Sequence, residues 1–231
     1  VTSLGQGQDI LFLHGYLSRK ESFYYQIKFF SREYRVTAPD ILGFGASSKI
    51  DSAMSVGDYA EWLEKFIEAS GIKCPIIVAH SFGARVAIKY LSTHPQDAKK
   101  LVLCGGAGIV KPRSSRYIWR VKLYRITKKF FPRFAEKRFG SREYKTLSPI
   151  MRESYKKIVN EDLRICAQKI VCPTLLVYGK NDTATPADEE GKIFNNAIRQ
   201  STLVLMEGDH FCFCKHPQSF NELVDNFLKG C

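Results

Sequence analysis

The sequence predicts an α/β architecture: a mostly parallel sheet with helices on both faces. Three observations predict it. Six short apolar runs recur along the chain. Stretches with apolar residues at helical spacing lie between them. And 231 residues that are 45% hydrophobic are enough for one large core.

The first run, DILFLH at 9–14, ends at Gly15 and reads as a strand buried on both faces. Runs at 35–39, 75–80, 100–104, 174–178 and 202–206 read the same way. The first clear helix carries Val56, Tyr59, Ala60, Leu63, Phe66 and Ile67 on one face. Ser55 and Asp58 have the spacing of a capping box, and Gly71 stops the helix. A second stripe pairs Val86 with Tyr90 and Ala87 with Leu91, and ends near Pro95. A last one joins Phe220, Leu223, Val224, Phe227 and Leu228 before Gly230.

The alternation breaks once, between the fourth and fifth runs. That gap holds most of the charge. Residues 111–170 carry 18 bases and five acids, a net +13, while the rest of the chain is at −1. So sharp a shift marks an insertion, and helical spacings such as Ile118–Val121–Arg125 make it a helical one. The predicted division is a core of 1–110 and 171–231 with a basic helical cap at 111–170. Two readings of its charge stand side by side. It is a solvated helical surface, or it docks an acidic partner, an acidic substrate or an anionic membrane surface. Aromatics are interleaved (Tyr117, Trp119, Tyr124, Phe130, Phe131, Phe134, Phe139), but no nucleic-acid-binding motif accompanies them. Nucleic acid is therefore disfavoured.

Composition excludes other classes. The chain is too apolar for disorder and too poor in glycine and proline for a low-complexity fibre. No apolar run approaches the roughly 18 residues of a membrane-spanning helix. The first residues lack the basic-then-apolar pattern of a secretory leader. Seven cysteines without a C-x-x-C spacing read as reduced thiols, so a cytoplasmic location is expected, with no metal and no cofactor.

In an open parallel sheet, sites form where strands end. A serine follows the third run (Ser81), an aspartate the fifth (Asp182) and a histidine the sixth (His210). Ser81 stands between a buried strand and an amphipathic helix, with Ala79 and Gly83 two residues to either side. A nucleophile on so sharp a turn needs small neighbours, and it gains a helix N-terminus facing the developing charge. The alternative is an ordinary helix N-cap. A serine hydroxyl needs a base, and His210 is the best placed. His80 belongs to the turn itself and points into the body. His94 and His216 precede prolines at helix ends, and His14 precedes the glycine of the first loop. The base needs a carboxylate to hold its tautomer. Asp182 fits. Asp209 is adjacent to His210, where neighbours rarely orient each other's rings, and Asp188, Glu189 and Glu190 read as a first helical turn. For the oxyanion, the backbone N–H of Phe82 and that of Tyr16 are the candidate donors, with Gly15 bringing the first loop close. Their rings either wall the acyl pocket or simply pack.

The blocks LFLHGY, APDILGFGASSK, IIVAHSFGARVAIKY, LLVYGKNDTATP and EGDHFCFCKHPQSFNELVDNFL follow one another in an order that resembles the α/β-hydrolase superfamily. The resemblance is to its serine-nucleophile, esterase-like branch with a helical cap. It implies Ser81 as nucleophile, His210 as base, Asp182 as acid, and Tyr16 and Phe82 as oxyanion donors. Asp40, Gly43 and Gly45 fall in a turn taken as structural. Two departures stand out. Ala79 replaces the usual glycine, and the family's first antiparallel hairpin is missing or reduced to 1–8. Ser81 argues against the dehalogenases and most epoxide hydrolases, which need an aspartate nucleophile. The implied activity is hydrolysis of a small-molecule carboxylic ester or related acyl bond through an acyl-enzyme. The base acts when neutral, so activity is expected to fall as pH drops through the histidine range. Two alternatives remain: an esterase or thioesterase acting on an acyl group carried by an acidic partner docked on the cap, and a non-catalytic receptor of the same fold.

Overall fold

The computed structural model describes residues 1–110, 119 and 147–230. Its sheet has seven strands among them: β1 (Thr2–Leu4), β2 (Asp9–Leu13), β3 (Arg35–Ala38), β4 (Ile76–His80), β5 (Lys100–Cys104), β6 (Thr174–Gly179) and β7 (Ser201–Met206). The described helices are α1 (Tyr24–Phe30), α2 (Val56–Ala69), α3 (Phe82–Thr93), α4 (Pro149–Asn160), α5 (Arg164–Ala167), α6 (Lys192–Ala197), α7 (Cys212–Lys215) and α8 (Pro217–Lys229). All six expected strands are present within one residue of their bounds.

The spatial order is β1-β3-β2-β4-β5-β6-β7. Every pairing from β3 to β7 is parallel. Only β1 runs antiparallel, with Ser3 opposite Thr37. Within residues 1–8, where the family's first hairpin was expected to be missing or reduced, the structure has one three-residue edge strand.

Strand periodicity divides the core in two. Leu11, Leu13, Ile77, Ala79, Leu101 and Leu103 face the layer of α2 and α3. Ile10, Phe12, Ile76, Val78, Val102 and Cys104 face the layer of α1 and α8. Alternate side chains on a strand point to opposite faces, so a continuous apolar run is what a doubly covered strand needs. Burying each such leucine, isoleucine or phenylalanine contributes about 1.5–3 kcal/mol.

The helices start and stop where their sequences dictate. The Ser55 hydroxyl accepts from the Asp58 N–H, and the Asp58 carboxylate accepts from the Ser55 N–H, closing the capping box of α2. Gly230, with φ +82°, ends α8. Most of the expected basic unit, including the Ile118–Val121–Arg125 spacing, lies outside the described residues. Of its described end, α4 begins at the Ser148 cap with Pro149 in its first turn. Ile158, Leu163, Ala167 and Ile170 join the same apolar cluster as α2 and α3. No helix among the described residues is long and apolar enough to cross a membrane.

Candidate active site

Ser81, Tyr16, Asp182 and His210 follow β4, β2, β6 and β7, and all four strands point the same way. The sheet therefore delivers them to the same side, at the carboxyl ends of its strands.

Ser81 has φ +52° and ψ −105°, a conformation that side chains rarely adopt. The turn is held on both sides of the serine. Its N–H donates to the Cys104 carbonyl at 3.1 Å, and its carbonyl accepts from Ala107 N–H at 3.4 Å. The requirement for small neighbours is steric. A Cβ at Gly83 would sit 2.3 Å from the Leu13 carbonyl oxygen. Ala79, where the family's usual residue is glycine, is a fully buried residue of β4.

Around the imidazole of His210, the hydrogen bonds run in one line. Its Nε2 is 2.9 Å from Ser81 Oγ and its Nδ1 is 2.8 Å from Asp182 Oδ2. A carboxylate only accepts, so the ring proton is on Nδ1, and Nε2 is left to accept from the serine hydroxyl. Neither bond requires any movement of the chain.

The Asp182 side chain is fully buried. Its Oδ1 accepts from the N–H groups of Ala184 (2.8 Å) and Thr185 (2.9 Å), and its Oδ2 from His210 and the Thr185 hydroxyl (2.9 Å). Burial pushes this carboxyl up. The hydrogen bonds of His210 and Thr185 outweigh that and hold it below the ordinary aspartate value. Asp182 is thus ionised at neutral pH, with each oxygen accepting two hydrogen bonds.

Thr185 and Gly105 also touch the candidate site, and sequence reasoning missed both. Thr185 Oγ1 also lies 3.1 Å from the Gly105 carbonyl and 3.2 Å from His210 Nδ1. A D-x-x-T spacing before a helical turn is an available signal for the Asp182–Thr185 bond. Gly105, at φ +51°, faces the ring directly: a Cβ there would be 3.0 Å from His210 Nδ1.

The oxyanion candidates flank the serine. Phe82 opens α3, so its N–H lies in the first turn, where no intrahelical acceptor exists. The loop carrying Tyr16 is pinned by His14, whose Nδ1 donates to the Gly15 carbonyl (2.8 Å) while its Nε2 accepts from Ile41 N–H (2.9 Å). The Tyr16 and Phe82 rings meet edge to face at 5.5 Å. Tyr16 also contacts Phe44 and Tyr155, and its hydroxyl donates to the Met151 carbonyl at 3.2 Å. Asp40 is structural: it accepts from the Lys20 ammonium and from the N–H groups of Lys20 and Ala46. Burial pushes it up, yet those bonds bring it down to about 2.

The other candidates lie elsewhere. His94 contacts Glu64, and Asp209 pairs with Lys215 rather than with the His210 ring. Asp188, Glu189 and Glu190 form a single turn, with Glu190 turned inward to accept from Gly108 N–H at 2.8 Å. His80 is buried, and its Nε2 lies 3.0 Å from the His210 carbonyl oxygen. Among the described residues, no group of three or more acidic, cysteine and histidine side chains has the arrangement of a metal site.

A family model described as the alpha/beta hydrolase fold matches residues 10–150, more than half of the chain. The chain belongs to the alpha/beta hydrolase fold family. This hydrolase-fold chain is 24% identical over 255 residues to the AB hydrolase superfamily protein YisY of Bacillus subtilis, covering 98% of this chain and 94% of that one. It is 27% identical to Lipase 1 of Psychrobacter immobilis, over 87% of this chain and 70% of that one. Among solved structures, an esterase from Exiguobacterium antarcticum superposes with a TM-score of 0.79 at 23% identity, covering 99% of this chain and 94% of the esterase. At that identity the esterase speaks for the fold.

Proposed function

We propose that the protein is a serine hydrolase that cleaves a carboxylic ester through an acyl-enzyme. One observation carries the reading: the unbroken line Ser81–His210–Asp182, with both hydrogen bonds under 3 Å. Ser81 Oγ attacks the ester carbonyl carbon while His210 Nε2 takes the hydroxyl proton. Asp182 stabilises the imidazolium that results. The N–H groups of Tyr16 and Phe82 donate to the oxyanion, where two preorganised donors act most strongly away from water. Collapse expels the alcohol, which leaves with the proton from His210. Water then attacks the acyl-enzyme with His210 again as base, releasing the acid and restoring Ser81. The family membership and the lipase relative support this chemistry.

The test is turnover of para-nitrophenyl esters of increasing acyl length, with fluorophosphonate labelling located by mass spectrometry. Turnover and labelling at Ser81, both lost in Ser81→Ala, are expected. Their absence in the unmodified chain would leave a ligand-binding protein of the same fold.

The charge of 111–170 favours a second reading of the substrate: an acyl group carried by an acidic partner, or one presented at an anionic surface. Docking of that kind weakens with salt, whereas cleavage of a small neutral ester does not.

A further inference from the structure

His80 is the last residue of β4 and directly precedes Ser81, yet it is only 2% exposed. Its Nε2 lies 3.0 Å from the backbone carbonyl oxygen of His210. A carbonyl only accepts, so Nε2 carries the proton and Nδ1 is a bare lone pair. Nδ1 has no hydrogen-bond partner among the described residues. It faces Gly15 so closely that a Cβ there would stand 2.9 Å from it. The His80 ring lies 4.7 Å from the His210 ring and 4.8 Å from Phe213.

One imidazole therefore touches three chain segments of the site: the Gly15–Tyr16 loop, the Ser81 turn and the His210 loop. An unmet buried acceptor is costly, and an apolar side chain of similar size would avoid that cost. What such a side chain could not supply is the N–H donated to His210. We infer that His80 is a positioning residue, whose Nε2–H holds the His210 backbone so that the imidazole of His210 stays within reach of Ser81. The inference rests on the hydrolase reading above. It reaches the reaction through His210, without contact to the substrate.

The experiment compares His80→Leu with His80→Gln in the full chain. Leucine removes the donor and fills the space. The glutamine amide places an N–H₂ group about where Nε2 stands. Losing one hydrogen bond of this kind corresponds to about a five- to tenfold change. His80→Leu is expected to lower kcat on a para-nitrophenyl ester by that factor with KM within twofold. The rate of fluorophosphonate labelling should fall in step, and His80→Gln should recover most of both. Should His80→Leu fail to fold, His80→Asn replaces it, since its shorter amide stops short of the His210 carbonyl and the same loss is expected. Wild-type kcat and labelling in the donor-deleted variant would overturn the inference, and so would a glutamine variant as impaired as leucine. Ser81→Ala separates the two levels. If it stays active, the hydrolase reading falls. If it is dead while His80→Leu is fully active, only the role of His80 falls.

Discussion

Thr185 bonds both oxygens of Asp182: its N–H reaches Oδ1 at 2.9 Å and its hydroxyl reaches Oδ2 at 2.9 Å. The hydroxyl thus shares Oδ2 with the His210 ring. A hydrogen bond to a charged group contributes about 1.5–3 kcal/mol, and valine keeps the shape while removing it. Thr185→Val should lower kcat by about tenfold with little change in KM, because in the proposed mechanism Asp182 orients His210 and does not bind substrate. Steady-state kinetics on a soluble ester decide this. A rise in KM with kcat intact would mean that Thr185 serves binding instead.

That bond also marks where the sequence stops being readable. The convergence of the candidates Ser81, Asp182 and His210 was legible because each follows a run of apolar residues, and parallel strands end on the same side of the sheet. His14 and His80 could be set aside as bases because each stands at the end of a buried apolar run, directly before the glycine or serine that opens the next loop or turn. Gly105 gave no such signal. It follows β5, and its closeness to the His210 ring exists only because β5, β6 and β7 are neighbours in the sheet. A linear pattern records where strands lie but not which loops meet above them. The edge strand β1 was obscure for another reason. Three residues, two of them exposed, are too few to display a two-residue period.

Gly105 offers a test of how closely the ring is held. At φ +51°, a Cβ would meet His210 Nδ1 at 3.0 Å and Asp182 Oδ2 at 3.3 Å. Gly105→Ala therefore adds backbone strain and pushes the imidazole aside. Displacements near 1 Å at a reacting group cost about 100-fold, and a few tenths of an ångström should cost about tenfold. Gly71 separates strain from collision, since it has φ +61° with nothing within 4 Å of a Cβ. Gly71→Ala should lower the melting temperature without lowering kcat, whereas Gly105→Ala should lower both. Equal kcat in the two variants would show that the ring tolerates the intrusion.

Acid should unfold this protein partly through His80. Burial, reinforced by the nearby His210, brings its pKa down from 6.5 to about 3, and the bond to the His210 carbonyl only partly opposes this. In the unfolded chain the same ring protonates near 6.5. Between those values the unfolded state holds one more proton than the folded state. Lowering the pH through that window therefore favours unfolding, by at most about 1.4 kcal/mol per pH unit from this residue. Above about pH 6.5 both states are neutral there and the effect vanishes. Asp182 works in the same direction at lower pH: held below its ordinary value, it withdraws stability as the pH falls through the carboxylate range. Urea midpoints at pH 7, 6, 5 and 4 should decline more steeply for the wild type than for His80→Gln, which has no ring to protonate. Parallel declines over that range would place the acid sensitivity in other groups, with the neighbouring His14, also lowered by burial, the first to examine.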